Sequence, residues 1–293
     1  MHGGIEAVVV NYNAGVYLER AVNSLIADGV DKVWIVDNAS DDGSTAFVAS
    51  KGDRVSVVRP GRNLGYGRGA NLGFEKTDSR YLIVSNPDVE VVPGAVGALV
   101  RVLEDNHDCA LVGPRIVNSD GTTYPSVRHF PSLIDAGGHA ILGQVLPNNA
   151  FSKRYRMLGV DHTGSFQADW VSGAFIMVRS DVFKKVGGFS DKFFMYLEDV
   201  FLCRTIGDRG YQVRFCGQAV VRHVQGLTTG SRPFRMIFAH HKSLWTYAKL
   251  TKNGWRKIQL PLICIGILFR LSISLFLAFL GRGAKNHEQD LTK

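Results

Sequence analysis

What most constrains the fold of this chain is a series of short apolar runs at residues 7–11, 32–36, 55–58 and 81–85, separated by segments of helical periodicity. Runs of four or five β-prone residues read as strands covered on both faces, because a half-exposed strand would alternate with polar residues. Strands that alternate with helices give βαβ units and a mostly parallel sheet. Ligands bind outside the carboxyl ends of such strands, so the residues that end each run are the first candidates for function.

Between the runs, residues 16–26 carry apolar side chains at helical spacing, with Asn13 as candidate cap, and Pro93-Gly94 opens a further helix to about Asn106. Beyond Asp108, Gly113-Pro114, Asn118-Ser119-Asp120-Gly121, Pro125, Pro131 and Pro147 predict turns and loops. Regularity returns at residues 170–178, then Gly187-Gly188-Phe189, then a helix from about Glu198 to Arg209. The expectation is one α/β domain in two halves, residues 1–108 and 109–230, followed by a distinct tail, residues 231–293.

The tail holds the charge imbalance. The chain carries +8 overall, but residues 231–293 contain 11 Lys and Arg against 2 acidic residues, a net of +9, so the preceding part is at −1. A nucleic-acid binder spreads basic residues over its folded face, whereas here they surround an apolar segment, which points to anionic lipid. Phe234, Ile237, Phe238, His241, Leu244, Trp245 and Ala248 form one helical stripe, suited to a bilayer interface or to packing on the domain. Residues 260–280 are about 31 Å long as a helix, close to a hydrocarbon thickness of about 30 Å. Arg270 at the centre costs about 2.5 to 3.5 kcal/mol on insertion scales, and the surrounding Leu, Ile and Phe offset it by roughly 4 to 8. A tilted span, a re-entrant element and an oligomeric contact for Arg270 all stand open at this point. Trp255, Arg256 and Lys257 are expected as interfacial anchors with the catalytic part on the cytoplasmic side. The four scattered cysteines predict reduced packing residues, and the N-terminus predicts no signal peptide.

Several strand ends carry chemistry. Asn11-Tyr12-Asn13 ends the first strand and Asp37-Asn38 the second, where the acceptor-only carboxylate of Asp37 suits the imide N–H of a pyrimidine. Residues 61–71 bring glycines that let backbone N–H groups approach a diphosphate, with Arg62 and Arg68 to neutralise it. Asn86-Pro87-Asp88 stops the fourth strand, and Asp88 is either a turn cap or a cation ligand. Glu198 and Asp199 open a helix whose Leu202, Cys203 and Ile206 turn Asp199 inward and Glu198 aside. An inward carboxylate beside aromatic walls can act as a general base, and the ordinary reading is compensation of the helix dipole. His223 ends another apolar strand, as a structural residue or a metal ligand.

The order of these pieces resembles the inverting family 2 glycosyltransferases of the GT-A fold, over roughly residues 8–224, and within them the bacterial rhamnosyltransferases. That resemblance implies an α/β GT-A sheet flanked by helices, with a C-terminal membrane-associating segment. It implies a nucleotide site built from Asn11, Asn13, Asp37, Asn38, Arg62, Asn63, Gly67, Asn71 and Asn86, and a divalent cation, Mn2+ or Mg2+, at Asp88 with His223. Asn-Pro-Asp stands where the family's motif is Asp-x-Asp, which implies a site that fills only with the donor diphosphate bound. Asp199 takes the base position, with Glu198 the alternative, and Phe201 replaces an acidic residue common in relatives. No Gln-x-x-Arg-Trp motif is present, which implies addition of a single sugar. The implied donor is dTDP-L-rhamnose, or alternatively a UDP-hexose. The implied acceptor is a polyprenyl-diphosphate-linked saccharide at the cytoplasmic face of the bacterial inner membrane, and a homo-oligomer is compatible with both. Two rival readings are a sugar nucleotidyltransferase, which wants a Gly-rich basic loop after the first strand, and an inactive scaffold, which would have lost Asp88 or Asp199.

Overall fold

Alternate residues of an extended strand face opposite ways, and here that alternation divides the core in two. Ala7 and Val9 point into one apolar cluster with Leu18, Val22, Leu25 and Leu99, while Val8 and Val10 point into another with Leu82, Phe183, Phe189 and Phe193. The computed structural model describes residues 2–130, 157, 161–224 and 233–290. Pro131 and Pro147, expected in loops, lie outside the described residues.

The strands are β1 (His2–Asn11), β2 (Lys32–Asp37), β3 (Val55–Val58), β4 (Ser79–Ser85), β5 (Val89–Val91), β6 (Cys109–Asn118), β7 (Val127–Arg128), β8 (Ser165–Ala168), β9 (Trp170–Val171), β10 (Phe175–Arg179) and β11 (Gln212–His223). The helices are α1 (Val16–Ala27), α2 (Tyr66–Phe74), α3 (Ala95–Asp105), α4 (Ser180–Val186), α5 (Glu198–Asp208), α6 (Pro233–Thr251) and α7 (Leu260–Asp290). Nine strands form one sheet in the order β3-β2-β1-β4-β10-β6-β11-β5, with β8 paired to β11, and β7 and β9 form a ribbon beside it. β1 to β4 run parallel, β10 enters antiparallel between β4 and β6, and β11 is parallel to β6. The sheet is mixed and mostly parallel with helices on both faces, as the apolar runs predict.

The two expected halves are interleaved. β5, from the first, pairs with β11 from the second, and β10 joins β4 to β6. Three local expectations are corrected. Asn13 does not cap α1; Gly15 occupies that position, and Asn13, at φ 51°, accepts the Asp41 N–H instead. Gly113-Pro114 is no turn but the middle of β6, where a side chain on Gly113 would meet Val171 at 2.7 Å. Pro114 lies opposite Cys216, beside the irregularity in β11, where a ladder tolerates a missing donor. Cys109, Cys203 and Cys216 are buried as expected, while Cys264 is only half-buried.

α6 joins the tail to the domain. Ser243 donates to the Met195 carbonyl at 2.8 Å, Tyr247 meets the edge of Phe201, and Leu250 packs on the second apolar cluster. The stripe read from the sequence serves another partner in part, since Phe238, His241 and Trp245 line a groove against α7.

Candidate active site

The carboxyl ends of β1, β2 and β4 and the start of α5 converge on one rim of the sheet. At the first two ends the polar groups are wired to each other. The Asn11 amide donates to Ser44 at 2.9 Å, Ser40 at 3.0 Å and Asp37 at 3.3 Å. Asp37 also accepts the Ser40 N–H, and the Arg59 guanidinium lies 3.8 Å from its other oxygen. Asn38 donates to the Gly65 carbonyl and accepts the Leu64 N–H, which pins the Gly-rich loop to β2.

That loop depends on Gly65. Its φ is 86°, and a side chain would strike the Phe194 carbonyl oxygen at 2.2 Å, the same oxygen that accepts the Tyr66 N–H. Asn63 accepts the Gly65 N–H and, like Arg62, stands exposed on the donor side. The stretch expected as one loop to Asn71 is corrected: from Tyr66 it is helix α2, and its Gly67, Arg68 and Asn71 make contacts within the protein. Gly67 makes room for Phe189, and Asn71 uses both ends of its amide on the Phe189 backbone. Arg68, expected to neutralise a diphosphate, donates instead to the Asp191 carbonyl.

Asp88 is more than a turn cap. Pairing of β5 with β11 brings His223 opposite Val89, and the His223 Nε2 lies 3.1 Å from Asp88 Oδ1, with both side chains close to 90% buried. Asn86 Nδ2 is 3.4 Å from the same nitrogen, and its backbone N–H is fixed by the Ala174 carbonyl of the β9–β10 connection. A carboxylate beside an imidazole is a donor set that Mn2+ accepts. Among the described residues no third His, Cys, Asp or Glu joins them.

α5 begins after two left-handed residues, Tyr196 at φ 69° and Leu197 at φ 63°. Such conformations cost of order 1–3 kcal/mol each without a glycine, and they persist where the surroundings impose them. Here they aim two carboxylates inward. The sequence expectation that Glu198 turns aside is corrected: it is only 7% exposed, behind α2, and its Oε2 has no hydrogen-bond partner among the described residues. Burial, with the neighbouring Asp199 charge second, raises Glu198 to about 8. Asp199 is also raised by burial, but it accepts N–H groups from Gly173 and Val200, each at 2.8 Å, and the Arg128 charge favours its ionised form. Of the two raised carboxyls, Asp199 is the one whose charged form is favoured by N–H donors from other residues and by a nearby cation.

Sequence reasoning missed four residues of this rim. The Tyr66 hydroxyl donates to the Gly173 carbonyl at 2.5 Å, and burial followed by the charges of Glu198, Asp199 and Asp88 holds its own proton in place. Gly173 has no room for a side chain beside Asp199, whose Cβ would be 2.8 Å away. Arg128 stacks over Trp170. Arg59 directly follows the third apolar run, so the strand-end rule would have found it; the others contact partners far away in sequence.

A profile of the family described as glycosyl transferase family 2 matches residues 6–187. The chain belongs to glycosyl transferase family 2. This glycosyltransferase is 34% identical, over 87% of both chains, to an N-acetylglucosaminyl-diphospho-decaprenol L-rhamnosyltransferase of Mycobacterium tuberculosis. It is 23% identical to the O-antigen chain rhamnosyltransferase RfbN of Salmonella typhimurium, over 76% of this chain and 67% of that one. Its fold is that of the mannosyltransferase PcManGT from Pyrobaculum calidifontis, solved with GDP-Man and Mn2+, at a TM-score of 0.60 and 14% identity over 97% of this chain and 80% of the other. The GT-A architecture and the enzyme class expected from the motifs both hold.

Proposed function

We propose that this glycosyltransferase moves one L-rhamnose, with inversion, from dTDP-L-rhamnose to a hydroxyl of a saccharide carried on polyprenyl diphosphate, at the cytoplasmic face of a bacterial inner membrane. The observation that carries the chemistry is the grouping of Asp199, Glu198, Tyr66 and the Asp88–His223 pair on one rim. The donor and acceptor classes are supported by the Mycobacterium tuberculosis relative, whose name states an L-rhamnosyl transfer to a decaprenol-linked sugar.

Asp199 is the base. It removes the proton of the acceptor hydroxyl as that oxygen attacks the anomeric carbon from the face opposite the nucleotide. Glu198, neutral, removes the like charge that would otherwise depress ionisation of its neighbour. Tyr66 holds Gly173 by its carbonyl, and the N–H of the same residue, in the preceding peptide, orients the base. Asp37 accepts from the base of the nucleotide, Asn11 and Asn38 hold it in place, and Arg62, Arg59 and Asn63 face the diphosphate. Asp88 and His223 would hold a divalent cation, which when bound supplies positive charge to the departing diphosphate.

The test is nucleotide release from a panel of dTDP- and UDP-sugars, with and without EDTA, in the presence of a lipid-linked saccharide. Turnover confined to a UDP-hexose overturns the donor assignment, and turnover indifferent to EDTA overturns the cation.

A further inference from the structure

The membrane part of the proposed function leaves open how α7 meets the bilayer. Its length alone suits a span: residues Gly254–Leu280 are apolar enough to cross, and none of them is fully buried in the protein. Its surroundings argue differently. The connection from α6 to α7 is short, so α7 folds back along α6. The groove between them is lined by Phe238, His241 and Trp245 from one helix and Cys264, Ile267 and Leu271 from the other. α6 in turn is fastened to the catalytic domain through Ser243 and Tyr247. For its first three turns α7 therefore runs along the flank of the domain, one helix away from it. A span would carry α6 into hydrocarbon with it, including Lys242 and Lys249, which are exposed on its surface.

The outer face of α7 is built for a shallower position. Leu262, Ile265, Phe269, Phe276 and Phe279 recur at steps of three, four or seven residues and are 53–70% exposed, and Ile258 of the preceding turn extends the row, while Leu268 and Leu277 add exposed apolar surface beside it. Arg270, the obstacle to insertion, lies on the other side. It is half-buried, and its charge acts on His240 and His241 of α6. At the start of the stripe Trp255 is 75% exposed with the Arg256 guanidinium over its ring, next to Lys257, and Lys249 lies over Trp245. Apolar stripe, basic flanks and aromatic rim together match the headgroup boundary of an anionic leaflet.

We infer that α7 lies in the plane of one leaflet, its Ile258-to-Phe279 stripe among acyl chains and its Arg270 side on α6, so that both ends of the helix stay on the side of the catalytic domain. Tyr196 meets His240 of α6 edge-on, so this float places the mouth of the base within reach of the headgroup plane. The inference rests on the membrane part of the proposed reading and not on the identity of the donor.

The test appends a cysteine after Lys293 in a Cys264→Ser background and probes it with an impermeant maleimide on sealed, inside-out inner-membrane vesicles from expressing bacteria. Labelling from the side of the catalytic domain is expected; a cysteine that labels only after detergent overturns the in-plane position. In parallel, the Ile265→Asp/Phe269→Asp double variant of the full chain is assayed on vesicles of equal parts phosphatidylglycerol and phosphatidylethanolamine. Binding is expected to weaken at least about tenfold, with unchanged hydrolysis of the donor in solution. Undiminished binding, or loss of self-association in place of binding, shows that the stripe serves another purpose and overturns the inference. Hydrolysis of some other sugar nucleotide would refute the rhamnosyl reading and leave both membrane measurements valid.

Discussion

At the ends of β1 and β2, Asn11, Asp37, Ser40 and Ser44 hold one another and Asn38 holds the Gly-rich loop, so the proposed nucleotide side is already wired, with the buried Asn11 Oδ1 left without a partner among the described residues. At the start of α5, Glu198 and Asp199 are pressed together in a low-dielectric pocket, and one carboxylate oxygen has no partner among the described residues. The difference teaches how one sheet divides its tasks. A binding rim gains from groups already fixed in place, whereas a catalytic rim gains from groups whose proton affinity has been pushed toward the working pH.

The largest effect should come from the catalytic rim. Asp199→Asn is expected to lower kcat by about 10²- to 10⁴-fold with little net change in thermal stability, since a buried charge is removed but only one of the Gly173 and Val200 N–H groups keeps its acceptor. Single-turnover kinetics and a melting curve measure both, and normal transfer would move the base to Glu198. Next, Asp88→Asn should raise the Mn2+ concentration for half-maximal transfer by about 10- to 100-fold, a size typical of weakened metal sites. A titration with metal at fixed donor reads it. Asn71→Ala tests whether that residue belongs to the scaffold. It strands the Phe189 N–H and carbonyl and should cost about 1–3 kcal/mol in urea unfolding with kcat/KM nearly intact per folded molecule.

Glu198 supplies a pH signature. Its folded pKa, about 8, lies above the ordinary carboxylate value of 4.5, so its contribution to stability is complete below about pH 4.5 and lost as the pH rises through 8. Glu198→Gln should remove that decline, flattening the melting temperature between pH 5 and pH 8.5, a range set by the two values just given. An unchanged slope would place the proton elsewhere. The smallest effect belongs to the exposed side of the donor rim: Arg62→Ala should raise donor KM by about three- to tenfold, as one solvated charge-assisted contact allows, with kcat unchanged.

Much of the parallel core was legible because β1 and β4, at the middle of the sheet, are buried on both faces and so leave continuous apolar runs. β6 was obscured by Gly113-Pro114, residues that usually end strands; here the glycine admits Val171 and the proline sits beside an irregularity, both consequences of packing. Asp88, His223 and Asp199 could be singled out as candidates because they follow or end a strand or begin a helix. Tyr66 escaped notice because its meaning lies in Gly173, 107 residues away. Asn71 and Arg68 sit in a Gly-rich stretch that reads as a phosphate cradle, yet they lie in α2 and their side chains bond to backbone around Phe189 and Asp191, a commitment that only the fold reveals.

The strand that sets the Asp88–His223 distance is β5, three residues long and at the end of the sheet. Yet Val89 and Val91 are themselves part of the apolar core against α1, and Ser24 of α1 accepts the Val91 N–H, so this edge strand is clamped and not frayed. Whatever loosens α1 should therefore pull Asp88 away from His223 as well, so that transfer is lost together with the fold of the domain and not before it.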